Sequence, residues 1–135
     1  MNAAAAGEVI LIRQLERSFP MGNTVILVPG QHPLSATDFY QILDTSDVPA
    51  GVVNIVTGGK DALAKTLAEH DDVEGFWYWG SAAGAKAVEF ASASNMKRTW
   101  CHAGAVDWYV AVEREAREFL REASQVKNIW VPYGE

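Results

Sequence analysis

Apolar positions recur along the chain with two alternating periods. Between residues 8 and 19, Val9, Ile12, Leu15 and Phe19 fall three and four apart, which predicts one face of a helix. Pro20 and Gly22 end it. Residues 24–28 form a mostly β-branched run between Gly22-Asn23 and Pro29-Gly30, the pattern of a buried strand. Pro33 suits the first turn of a helix, where its missing N–H costs nothing. Leu34, Thr37, Tyr40 (or its neighbour Phe39) and Leu43 form the stripe of that helix, and Pro49 forbids its continuation beyond Ser46-Asp47. A second strand is predicted over 52–56 and a helix over 62–70. An aromatic strand covers 76–79. A helix follows over about 82–93, with Ala83, Ala87, Val88, Phe90 and Ala91 inward, and then a strand over 96–101. A charged helix over 107–123 and a short terminal strand over 126–131 complete the chain. Strands alternating with helices imply an α/β fold: a parallel sheet with flanking helices, built from right-handed βαβ units, in one domain spanning 1–135.

Composition narrows the function classes. Hydrophobic residues make up 49% and charged residues 21%, close to the averages of globular proteins. The net charge of -6 argues against a nucleic-acid partner, which would call for a basic face. No stretch approaches the ~18 consecutive apolar residues of a membrane helix, so no membrane partner is expected. The single cysteine, Cys101, rules out a disulfide framework and points to the reducing cytoplasm. The amino terminus lacks the basic start and apolar stretch of a signal peptide.

Candidate chemistry gathers at one junction. Residues 76–84 read as a strand, a Gly80-Ser81 turn and the start of a helix carrying Gly84. Such a turn points backbone N–H groups and a positive helix end at a bound pyrophosphate. It is equally the form of a plain βα turn in which Ser81 caps the helix. Thr57-Gly58-Gly59-Lys60 looks like a phosphate loop, but the Walker spacing fails, with Asn54 and Asp61 at the required positions. Cys101 and His102 are adjacent on a strand, so their side chains point to opposite faces and make a poor nucleophile–base pair. His32, His70 and His102 show no metal-ligand spacing, so no metal site is expected. The aromatic run at 76–79 fits a sheet covered on both sides rather than a base-stacking platform.

Several segments then carry a family likeness. Gly22-Asn23-Thr24-Val25-Ile26-Leu27, Pro33-Leu34-Ser35-Ala36, Val48-Pro49-Ala50-Gly51-Val52-Val53-Asn54-Ile55-Val56-Thr57-Gly58 and Asn95-Met96-Lys97-Arg98 stand in that order. Together they resemble the coenzyme-binding domain of the aldehyde dehydrogenase superfamily, across residues 22–106. The resemblance implies a Rossmann-like fold, truncated here, with NAD or NADP as cofactor. It assigns the dinucleotide to Gly59, Gly80, Ser81 and Gly84. The departures are equally specific. The family lysine that contacts the adenosine ribose falls on Val28, and the acidic residue that follows falls on Gln31. Three residues separate Gly80 from Gly84, where the family has four. The general-base glutamate falls on His102, in the segment His102-Ala103-Gly104-Ala105. The family nucleophile belongs to a separate catalytic domain, and Cys101 lies one place before the base.

Residues 107–135 diverge into a helix and strand of their own. The ending resembles the degenerate second module of tandem, family-16-type members, which implies lost catalysis. The expectation is therefore a pseudoenzyme domain with a structural or interaction role, acting as a homo-oligomer or docked on a larger aldehyde dehydrogenase module. The alternative is the NAD(P)-binding portion of an oxidoreductase whose catalytic cysteine lies outside this chain.

Overall fold

A computed structural model describes residues 22–31, 33–104, 116–125, 129–132 and 134. The expected helix over 8–19, His32 and residues 126–128 of the expected terminal strand lie outside this set. Residues 129–132 form no regular element.

The chain runs β1 (Val25–Leu27), α1 (Pro33–Asp44), β2 (Val53–Ile55), α2 (Lys60–Glu69), β3 (Gly75–Gly80), α3 (Ala82–Ser92), β4 (Arg98–Ala103) and α4 (Ala116–Glu122). The expected α/β architecture is present: parallel strands flanked by helices. The strands form two separate two-stranded parallel ladders, β1 with β2 and β3 with β4. Among the described residues no helix is long and apolar enough to cross a membrane.

The first ladder pairs Val25 with Val53 and Leu27 with Ile55. Leu27, Val53 and Ala36 of α1 are its buried centre, with Phe39 and Leu43 packed against them. The stripe of α1 is thus Ala36, Phe39 and Leu43, whose three- and four-residue spacing puts them on one helix face. Leu34 and Tyr40, assigned inward by pattern, are exposed. Ser46 closes the helix: its hydroxyl donates to the Leu43 carbonyl at 2.7 Å and accepts from the Val48 amide at 3.2 Å. Gly51 then turns the chain into β2 at φ +85, a conformation that L side chains rarely adopt.

The second ladder is longer, pairing Gly75 with Arg98 through to Gly80 with Ala103. One face carries Phe76 and Tyr78, buried against Ala64 and Ala68 of α2 and Ala85 and Val88 of α3, with Cys101 packed alongside. The inward residues of α3 are Ala85, Val88 and Ser92, with Ala91 packed alongside as expected, while Ala83, Ala87 and Phe90, also assigned inward by pattern, are exposed. The other face carries Trp77, Trp79, Trp100 and His102 beneath Phe119 of α4. Arg98 Nη2 holds the end of α4 through the Glu122 carbonyl at 3.1 Å, and Asn23 Nδ2 donates to the Ala123 carbonyl at 2.7 Å.

Strand β4 begins two residues later than the pattern predicts. Met96 has φ 56, closing a 3-10 turn over Ala93–Asn95, and the Lys97 amide bonds back to the Ser92 carbonyl. Only at Arg98, whose amide donates to Glu74, is the backbone free to join β3.

Candidate functional site

Strand β3 ends at Gly80, and Ser81 caps α3 by accepting a hydrogen bond from the Gly84 amide at 3.0 Å. The hydroxyl therefore satisfies one of the unpaired donors of the first helical turn. A side chain on Gly80 would begin 2.7 Å from the Tyr78 hydroxyl and 2.8 Å from Lys60 Nζ. A side chain on Gly84 would collide with the same hydroxyl. Both glycines are explained by the close approach of α3 to Tyr78, which is 4% exposed. The Tyr78 hydroxyl donates to Asp61 Oδ1 at 3.4 Å.

Lys60, the first residue of α2, reaches the same turn. Its Nζ donates to the Trp79 carbonyl and sits 4.7 Å from the centre of the Tyr78 ring. Its stem passes Gly30 in the turn after β1, with Cδ 3.7 Å from where a side chain there would begin. Burial lowers the Lys60 pKa, partly countered by the nearby Asp61 charge. Gly59, which precedes it, caps α2 with no side-chain bond and has open space around it.

The structure thus brings Gly80, Ser81 and Gly84 together, and it adds Lys60, Tyr78 and Asp61, which pattern alone did not select. The one sequence signal for Lys60 was its place directly after Gly58-Gly59, in a loop whose Walker spacing fails. A dinucleotide phosphate needs free donors and a close approach. The Gly84 amide is committed to Ser81, and Tyr78 fills the space beside Gly80. The cation that reaches this turn is the Lys60 ammonium, and the space beside Gly59 is open.

The remaining candidates lie elsewhere on β4. His102 stacks parallel to Trp79, with ring centroids 6.0 Å apart, and meets Trp100 edge-on at 5.1 Å. Cys101 points to the opposite face, as their adjacency on a strand predicts. Burial and the Glu89 charge push its thiol up to about 11. The nucleophile–base pairing is absent by geometry. Val28 is half-buried and Gln31 exposed.

Comparison with known proteins places these features. The NADP/NAD-dependent aldehyde dehydrogenase PuuC of Escherichia coli (strain K12) is 38% identical over 85 residues, which is 62% of this chain and 17% of that protein. The mitochondrial aldehyde dehydrogenase of Leishmania tarentolae is 30% identical over 115 residues, 84% of this chain and 22% of that one. An indole-3-acetaldehyde dehydrogenase crystallised with NAD+ superposes with a TM-score of 0.67 at 34% identity, covering 71% of this chain and 20% of that one. This chain thus spans about a fifth of the length of these proteins. The aldehyde dehydrogenase family model matches residues 9–123, a stretch that takes in both ladders and the Gly80-Ser81 turn, so this chain belongs to the aldehyde dehydrogenase family.

Proposed function

We propose that this chain is a non-catalytic aldehyde dehydrogenase-like domain with a structural or interaction role in the cytoplasm. The observation that carries this reading is the setting of His102. Its ring, which the family resemblance aligns with the general base, is one member of an aromatic stack with Trp79 and Trp100. The neighbouring thiol of Cys101 faces away and is held protonated. An imidazole used as packing is poorly placed to activate water beside a substrate carbonyl. Ile129, Trp130 and Val131 are 84%, 91% and 71% exposed, and this apolar segment supports docking on a larger aldehyde dehydrogenase module or on a second copy. Incubation of the chain with NAD+ and a panel of aldehydes should yield no NADH. Turnover that disappears in His102→Ala would overturn the proposal.

A second reading is favoured by Lys60 at the turn and by the likeness to a structure solved with NAD+. Here the chain is the NAD(P)-binding portion of an oxidoreductase whose nucleophilic cysteine is supplied elsewhere. A bound dinucleotide would accept hydride, and Lys60 and Ser81 would hold its phosphates. Calorimetric titration with NAD+ and NADP+ decides between a cofactor-binding and a cofactor-free domain.

A further inference from the structure

We propose that β4 is a self-pairing edge, joining the same strand of a second copy of this chain, antiparallel, across a two-fold axis at Cys101. This rests on the first reading, an interaction role, and names the surface that would carry it. In the β3–β4 ladder the Arg98 amide donates to the Glu74 carbonyl and the Gly104 amide to the Gly80 carbonyl. Backbone groups alternate in direction along a strand, so those of Arg98, Trp100 and His102 face β3. Those of Thr99, Cys101 and Ala103 face the other way. Among the described residues no hydrogen bond occupies these outward N–H and C=O groups, and β3 is the one strand that β4 pairs with.

A row of unpaired backbone groups is a template for another strand, and proteins blunt such edges with lysine, proline or a bulge. Strand β4 has no lysine or proline, and it pairs residue for residue with β3, without a bulge. The Arg98 guanidinium is engaged by the Glu122 and Ser124 carbonyls at the end of α4. An axis at Cys101 is the register that uses every outward group of both copies: Cys101 meets Cys101, and Thr99 meets Ala103. Arg98 then lies opposite the uncharged Gly104, so no like charges face each other. Trp100 falls opposite His102 of the second copy, at a pair without hydrogen bonds, where cross-strand side chains come closest. Aromatic pairs at such positions stabilise a sheet. Trp100 and His102 are half-buried and already meet edge-on at 5.1 Å within one chain, so the pairing continues the tryptophan stack across the axis. The same patch serves both copies, as in the commonest kind of symmetric dimer.

The test is sedimentation velocity of the full chain over a range of concentrations, with amide hydrogen exchange on the same samples. Wild type should form a reversible dimer, and the amides of Thr99, Cys101 and Ala103 should gain protection as the dimer fraction rises. Thr99→Pro removes an outward N–H that has no partner within the chain, so the fold should survive, as judged by circular dichroism. Its dimer should dissociate at about tenfold or more higher concentration, the effect of losing one hydrogen bond from each copy. Ala103→Lys keeps the N–H but adds an edge charge, and should also weaken the dimer; it carries the test if the proline variant fails to fold. Deletion of residues 129–135 should leave the dimer intact. A chain that stays monomeric at millimolar concentration overturns the proposal. So does a dimer that both edge variants leave unchanged, or one that only the deletion abolishes, which would put the contact on the terminal segment. None of these outcomes touches the non-catalytic reading, which stands or falls on the NADH assay.

Discussion

The phenolic oxygen of Tyr78 stands where a side chain on Gly84 would have to begin. The first turn of α3 therefore lies directly against β3, and only a glycine permits that distance. Gly84→Ala should destabilise the chain by about 1–3 kcal/mol, the usual range for overpacking a close contact. The better helix propensity of alanine offsets about 1 kcal/mol of this at most. Tyr78→Phe should recover only part of the loss, because the ring carbon bearing the hydroxyl lies 2.7 Å from the same point. Urea denaturation of the two single variants and the double variant measures the coupling. Independent, additive effects would contradict the contact.

Ser81 is predicted to matter for the helix itself. Ser81→Ala removes the acceptor of the Gly84 amide and should cost about 1 kcal/mol. Ser81→Asp should keep the cap, and its charge suits the positive helix end. Thermal unfolding of both variants checks the pair. An alanine variant as stable as wild type would remove the capping role.

Phe119 is the key of the aromatic face. It is 4% exposed and lies 4.8 Å from Trp100 and 5.5 Å from Trp77, centroid to centroid. Phe119→Ala should cost about 3 kcal/mol, at the lower end for a buried phenylalanine, and should release α4 from the sheet. Loss of near-ultraviolet dichroism with retained far-ultraviolet signal would report that release.

Cys101 supplies a pH test. Its folded pKa is raised from 9.0 to about 11 by burial and by Glu89. Between these values the unfolded chain loses the thiol proton first, so unfolding is favoured as pH rises. Stability attributable to Cys101 is intact below pH 9 and declines toward pH 11. Burial lowers the pKa of Lys60 and Lys97, which acts in the opposite direction and makes stability rise toward pH 10.5. Comparing wild type with Cys101→Ala cancels the lysines. The wild-type urea midpoint should fall relative to the variant between pH 9 and 11. Alkylation of Cys101 by iodoacetamide at neutral pH should be slower than that of a free thiol.

Much of the architecture was legible residue by residue. The β-branched runs gave strands, proline and glycine marked their ends, and the adjacency of Cys101 and His102 on one strand already separated their side chains. Helix phases were less legible. In α1 the apolar residues are spread around the helix, and burial of Ala36 rather than Leu34 depends on which face the sheet offers. The start of β4 was hidden because Met96 takes a left-handed conformation that its side chain does not announce.

The local pattern by itself determined the alternation of strand and helix, the Gly80-Ser81 turn and the family likeness. The first two depend on residues within a few positions of one another, and the likeness on short segments standing in a set order along the chain. Tertiary structure alone decided that Tyr78 fills the space beside Gly80 and Gly84, that His102 joins a tryptophan stack, and that Lys60 reaches the end of β3. Those contacts join groups separated along the chain, and they depend on how strands pair and helices settle, which no local spacing specifies.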